Sequence, residues 1–167
     1  MTTEKPARGE PLLGPLACAI SPQGDLYIGS IRDSGWGGAN NIGTLVKVQV
    51  QPDKLPAGIA EVRANPDGLA IHFTRPVDPA LAIDSENYTL TSYTRVSTPA
   101  YGGPDQGRAV HRPTSIKLSD DHTLVQLNLA ELREGFVYEL RLKKLVDDDQ
   151  LFFPAEAYYT MRRKPAG

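Results

Sequence analysis

The residue types best suited to holding a ligand are gathered in one glycine-rich stretch, Arg32-Asp33-Ser34-Gly35-Trp36-Gly37-Gly38-Ala39-Asn40-Asn41-Ile42-Gly43. Trp36, the sole tryptophan, stands among four glycines with Arg32, Asp33, Asn40 and Asn41 beside it. An indole plane ringed by amides and charges can stack on a sugar or anchor a protein partner. These five residues are the candidate contacts. The competing assignment is that Trp36 fills the apolar gap beneath its own loop.

Other reactive side chains are scattered. The histidines are His72, His111 and His122, without His-x-His or His-x-x-x-His spacing. A metal site would need at least two of them converging with a carboxylate. Asp147-Asp148-Asp149 offers the oxygens calcium takes, but no Asp-x-Asp-x-Asp-Gly loop accompanies it, so a solvated hairpin tip is expected. Glu131, Glu134 and Glu139 are assigned to the surface side of a turn and a strand. Neither Gly-x-Ser-x-Gly, nor a glycine-rich phosphate loop, nor His-Glu-x-x-His occurs. Cys18 is the sole cysteine, which rules out an intramolecular disulfide or a cysteine zinc site. Its neighbours Leu16, Ala17, Ala19 and Ile20 predict a buried, inert thiol. No catalytic residue, metal or cofactor is assigned.

The elements that must position these residues are short strands. The chain has 167 residues, enough for one core or one core plus an appendage. Hydrophobic content of 40% and charged content of 23% are those of a globular protein. Gly 15 and Pro 14, spread along the chain, punctuate it too often for long helices. A net charge of −2 argues against a nucleic-acid partner, and no apolar run approaches the roughly 20 residues that span a bilayer. Residues 1–14 read as a flexible leader without the apolar region of a secretory signal. Residues 15–50 form a three-stranded meander: Leu16–Ile20, Leu26–Ser30 and Thr44–Val50, with a tight turn at Ser21-Pro22-Gln23-Gly24-Asp25. Residues 51–58, carrying Pro52, Pro56 and Gly58, are a linker, and 162–167 a basic tail.

Between 59 and 161, about seven strands recur at spacings near ten residues, which suits an immunoglobulin-like β-sandwich. Leu69, Ile71 and Phe73 share one strand face and Pro76 ends that strand. Leu69, Ile71, Phe73, Tyr88, Leu90, Val125, Leu127, Leu129, Tyr138, Leu140 and Leu142 are the expected inner residues. Ala80–Ile83 is expected to form a helical turn, 97–108 a loop, Ser119–His122 a hairpin turn, and 136–146 one strand. The fold class is all-β, a sandwich preceded by a small meander.

These residues carry a resemblance. Phe73 to Asp78, Asn87-Tyr88, Leu118 to Asp121, Leu132 to Leu140 and Tyr159-Thr160 occur in the order seen in bacterial immunoglobulin-like modules. The hairpin Ser21-Pro22-Gln23-Gly24-Asp25-Leu26-Tyr27 and the strand Gly43 to Val48 resemble the last blade of a bacterial β-propeller of the NHL or soluble sugar-dehydrogenase type. The resemblance implies the C-terminal end of a larger periplasmic or extracellular propeller protein. An upstream propeller or another protein domain would be the partner, carbohydrate a candidate ligand, and self-association a further route to burial. It implies a non-catalytic structural or interaction module. The alternative is a fragment of a sugar-dehydrogenase-like or haem-associated oxidoreductase whose active site lies before Met1; no Cys-x-x-Cys-His haem motif is present.

A meander that has lost its flanking blades leaves Leu16, Ile20, Leu26, Ile28, Leu45, Val46, Val48 and Val50 in need of cover. Each apolar side chain left bare forgoes roughly 1.5–3 kcal/mol. Residues 1–55 are therefore expected to exchange amide hydrogens faster than the sandwich, or to be protected only on self-association. Hydrogen exchange at several protein concentrations measures this. Uniform, concentration-independent protection across the chain would refute it.

Overall fold

The computed structural model describes residues 14–32, 42–48, 57–99, 102–147 and 150–166. The chain divides into two compact units, Met1–Leu55 and Pro56–Gly167. Among the described residues, helix is confined to one turn, α1 (Pro79–Ala82), and one 3-10 turn (Ser85–Asn87). The rest of the ordered secondary structure is antiparallel β.

The first unit is a meander of β1 (Pro15–Ile20), β2 (Leu26–Arg32) and β3 (Ile42–Val48) in that spatial order. The β1–β2 turn is built by its sequence. Gly24 N–H donates to Ser21 O at 2.9 Å, Ser21 N–H to Asp25 O at 2.8 Å, and Asp25 N–H to Ser21 Oγ at 3.1 Å. The Ser30 and Thr44 hydroxyls meet across β2 and β3. Cys18 is exposed, not buried as its neighbours suggested. All six residues of β1 are exposed.

The second unit is a sandwich. One sheet runs β4 (Ile59–Asn65), β5 (Gly68–Phe73), β9 (Leu124–Asn128), β8 (Ser115–Leu118) in spatial order. The other runs β13 (Glu156–Thr160), β10 (Val137–Leu142), β6 (Tyr88–Arg95), β7 (Asp105–His111). This is the immunoglobulin arrangement of A-B-E-D facing G-F-C, with an extra strand beside C. A two-stranded ribbon, β11 (Val146–Asp147) and β12 (Gln150–Leu151), interrupts the path to β13. Its flanks Leu145 and Phe152 are buried, and Phe152 packs edge-on against Phe73 with ring centroids 5.7 Å apart. The single strand expected over 136–146 therefore ends at Leu142.

Alternation put the core where the sequence indicated. Leu69, Ile71, Leu90, Val125, Leu127 and Tyr138 have no exposed surface, and Leu140 is 1% exposed. Phe73, Tyr88 and Leu129 are buried, and Leu142 is partly buried against them. Leu140 stands two residues after Tyr138, where antibody domains carry the second cysteine of the inter-sheet disulfide. Here an apolar side chain fills that place. At α1, Asp78 Oδ1 accepts from the N–H groups of Ala80 and Leu81 at 2.8 and 3.1 Å, with Pro79 in the first turn. The Ser119–His122 turn forms as expected, with His122 at φ 59° and Asp121 Oδ1 accepting from Ser119 Oγ at 2.6 Å.

The sequence reading missed β7. Residues 97–108 were expected to form a loop, yet a strand begins at Asp105 and passes through a bulge opposite Ser92–Thr94. Gly107 at φ 61° lies in that bulge, a conformation that costs glycine little. An edge strand with Asp, Gly and Arg carries a weak hydrophobic signal.

The crossing from the first sheet to the second is closed by the Leu132-Arg133-Glu134-Gly135-Phe136-Val137-Tyr138 corner. The Tyr138 hydroxyl accepts the Arg133 N–H at 2.7 Å. Gly135 at φ 80° turns the chain, and its N–H donates to Met161 O at 2.8 Å. Removing the hydroxyl leaves a part-buried donor unmatched, at a cost of about 1–3 kcal/mol. Tyr138→Phe is expected to lower the unfolding free energy by that amount, seen as a lower denaturation midpoint at unchanged slope. A change below about 0.5 kcal/mol would show that the corner is not held by this bond.

Candidate interaction face

Arg32 closes β2, opposite Ile42 on β3. Asp33, Trp36, Asn40 and Asn41 lie outside the described residues, as do Asp148 and Asp149. The described residues build a different surface, on the outer side of the β13-β10-β6-β7 sheet.

Register decides which side chains share that side. Thr89, Thr91 and Tyr93 of β6 lie opposite Arg141, Glu139 and Val137 of β10. Those in turn lie opposite Glu156, Tyr158 and Thr160 of β13, while Val110 of β7 lies opposite Thr91. Successive strands thus bring six alternating charges into one ladder. Arg95 Nε meets Asp105 Oδ1 at 3.0 Å, and Asp105 Oδ2 meets Arg108 Nη2 at 2.7 Å. Arg108 Nη1 meets Glu139 Oε2 at 2.8 Å, and Glu139 Oε1 meets Arg141 Nη2 at 2.7 Å. Arg141 Nε reaches Glu156 Oε2 at 3.6 Å. Beneath the ladder, Arg108 and Arg95 lie over the Tyr93 ring at 4.5 and 5.6 Å, which buries that ring.

Glu139 is the centre. It was assigned to the surface, yet it is only 9% exposed, because two guanidiniums and Thr91 close around it. The hydrogen bond from Arg108, reinforced by the charge of Arg141, holds its carboxyl below the usual carboxylate range. Hydrogen bonds from Arg108 and Arg95 do the same for Asp105. On either side of this polar centre, in the same cross-strand row, stand Val110 at 74% and Tyr158 at 54% exposure. Thr89, Thr91, Arg108, Glu139 and Arg141 line a shallow open depression between them. The arrangement is an ion-pair ladder whose lowered carboxylates stay charged at neutral pH. It offers fixed donors and acceptors flanked by two apolar contacts, with aromatic and arginine types that are enriched at protein interfaces.

A second cluster lies on the inner side of the same sheet. His111 Nε2 and Ser92 Oγ are 2.7 Å apart, and Arg133 Nη2 donates to Ser92 Oγ at 3.2 Å. His111 packs on the Tyr138 ring at 5.5 Å, and Arg133 lies over Phe136 at 3.9 Å. A serine–histidine pair can be a nucleophile and its base, but Ser92 has no exposed surface for a substrate to reach. Burial, then the Arg133 charge, pushes the His111 imidazole below its ordinary value, with Glu131 opposing. His72 lies mid-strand on β5 and His122 on the hairpin turn; no group of three metal-type side chains converges among the described residues.

Sequence reasoning missed the ladder because it missed β7. The signal available was the outward set Thr89, Thr91, Tyr93 on one strand and Glu139, Arg141 on another.

No family model and no curated protein matches this chain. Among solved structures, a crystal structure of the S-layer protein rSbsC is similar at 23% identity and TM-score 0.47, over 64% of this chain and 14% of that one. A structure of domains 1-6 of the surface layer protein SbsC is similar at 22% identity and TM-score 0.45, over 65% of this chain and 14% of that one. The chain spans about a seventh of the length of these two structures.

The lowered His111 value sets a pH dependence. Its neutral form is favoured on folding, so its contribution is complete above the ordinary value of 6.5 and is lost as pH falls through the lower folded value. The depressed Glu139 and Asp105 add a further loss in the acid range below ordinary carboxylate values. His111→Gln is expected to flatten the stability profile just below neutrality and to leave the acid limb unchanged. Urea melts from pH 8 to pH 3 measure both limbs. An unaltered slope near neutrality would refute the assignment.

Proposed function

We propose that this chain is a non-catalytic immunoglobulin-like structural and interaction module of a larger extracellular protein, with the outer face of the β13-β10-β6-β7 sheet as its contact surface. The observation that carries the reading is Glu139, enclosed between Arg108 and Arg141 in an otherwise open sheet face. Enclosing a carboxylate in this way fixes the side chains around it. A partner meeting that face pays little ordering entropy. Val110 and Tyr158 supply apolar contacts at its two sides. The opposing account is that the ladder only keeps an uncovered sheet face soluble.

A second reading rests on the first unit. A propeller blade packs both faces against neighbouring blades, and Leu16, Ile20 and Leu45 here are 72%, 75% and 61% exposed. On this reading the meander is the last blade of a propeller oxidoreductase, and the Trp36 loop lines its mouth, with carbohydrate as ligand. Gene sequence upstream of Met1 separates the two: a continuous frame of blades with a dehydrogenase site favours the second.

The contact surface is tested by replacing its apolar flanks. Val110→Asp with Tyr158→Asp is expected to weaken retention on isolated envelopes of the producing cells by about tenfold or more, equivalent to about 1.4 kcal/mol. Tyr158 faces Glu139 and shares Arg141 with it, so Val110→Thr with Tyr158→Thr, which adds no charge there, is the control for any loss of thermal stability. Equal retention of variant and parent, or a chain inaccessible to impermeant labels on intact cells, would overturn the proposal.

A further inference from the structure

We propose that β1 is the edge through which two copies of this chain join their three-stranded sheets, antiparallel, about a two-fold axis at Cys18. The inference concerns the first unit alone and does not depend on the contact face of the second.

Edge strands normally carry charge that discourages pairing with another chain. The other edges of the three larger sheets do so: Lys47 on β3, Glu61 and Arg63 on β4, Lys117 on β8, Asp105 and Arg108 on β7, and Glu156 on β13. β1, with the sequence Pro-Leu-Ala-Cys-Ala-Ile, carries none, and Pro15 with the bulge before Ala17 blunts only its first residues. Leu16 and Ile20 are among the most exposed large apolar residues described.

From Ala17 to Ile20 the backbone is regular and can receive a strand, while a bulge between Pro15 and Ala17 breaks the register at Leu16. Ser21 N–H donates to Asp25 O, so Ser21 and Asp25 form the hydrogen-bonded pair that closes the hairpin. In an antiparallel ladder, inward and outward backbone groups alternate from such a pair. Ala19 and Ala17, opposite Tyr27 and Gly29, direct their backbone groups to β2. Cys18 and Ile20 direct theirs to the free side.

The sequence of β1 selects a second copy as the occupant. Leu16-Ala17-Cys18-Ala19-Ile20 reads nearly the same in both directions. An antiparallel pair centred on Cys18 therefore sets Ala17 against Ala19 of the second copy and brings Ile20 over its bulged Leu16. Large meets large and small meets small, with no like charges opposed. Cys18 meets its own counterpart as a hydrogen-bonded pair, with a Cα separation of about 5.5 Å. The Cβ atoms of a hydrogen-bonded pair stand farther apart than the roughly 3.5–4.5 Å a disulfide takes, so the two thiols suit a short bifunctional reagent better than a direct bond.

The test uses the full chain under reducing conditions, with sedimentation at rising concentration. The parent is expected to dimerise. Ile20→Lys places charge on the edge, and Cys18→Pro removes an outward N–H without taking a bond from β2. Both are expected to raise the dissociation constant at least tenfold while circular dichroism stays unchanged. In a separate arm, a short bismaleimide adds one Cys18 thiol of each copy across its two double bonds, which needs no oxidant. It should trap a covalent Cys18–Cys18 dimer of the parent far faster than of Ile20→Lys. A chain that is monomeric throughout, or a dimer that either variant leaves intact, overturns the proposal. So does slow trapping in the parent equal to that of Ile20→Lys, which would mean that β1 awaits a strand of another protein. The Val110 and Tyr158 replacements should leave this dimer unaffected, which separates its failure from that of the contact face.

Discussion

The hydroxyl of Tyr138 holds the corner between the two sheets of the second unit. By accepting the Arg133 N–H, it fixes the chain where it crosses from the β9 sheet to the β10 sheet. Arg133, held at its backbone, extends its guanidinium over Phe136 and onto Ser92. Ser92 in turn holds His111, which packs against the Tyr138 ring. One corner bond is thus linked through three side chains to β7, the strand at the far edge of the sheet. The outer ladder depends on that placement, since Arg108 and Asp105 both belong to β7. Buried polar networks of this kind are costly when half satisfied and specific when complete.

The two faces of the β13-β10-β6-β7 sheet solve the same problem differently. The inner face is matched by apolar burial, supplemented by the Ser92–His111–Arg133 node. The outer face has no opposing layer in its own unit, and it compensates with reciprocal charge. Individually, exposed ion pairs contribute little, about 0–1 kcal/mol. Arg95 and Arg141 are more than half exposed and fall in that class. The pair of Arg108 with the enclosed Glu139 stands apart from them, because water is largely excluded from the carboxylate.

The core was legible because period-two alternation is a strong signal. Leu69, Ile71 and Phe73 announced their face, whereas Leu132 to Leu140 entered only through a family resemblance and the Tyr138 corner bond was not foreseen. What escaped notice was set by neighbours rather than by local sequence. The thiol of Cys18 looked buried because its flanking residues are apolar, but burial requires an opposing layer, which no local pattern encodes. Glu139 looked exposed because glutamate usually is; its enclosure depends on Arg108, 31 positions away in the chain. The strand bearing Arg108 was hidden by the glycine and the charges that an edge position tolerates.

The outer ladder pairs three arginines, Arg95, Arg108 and Arg141, with three carboxylates, Asp105, Glu139 and Glu156. Its field therefore cancels within a few ångströms of the surface. A molecule approaching this face is neither drawn in nor turned by long-range attraction. For the partner proposed at this face, encounter would proceed at unsteered rates, on the order of 10⁵–10⁶ M⁻¹s⁻¹, and change little with ionic strength. Discrimination between partners is then exercised after contact, through how long each one stays.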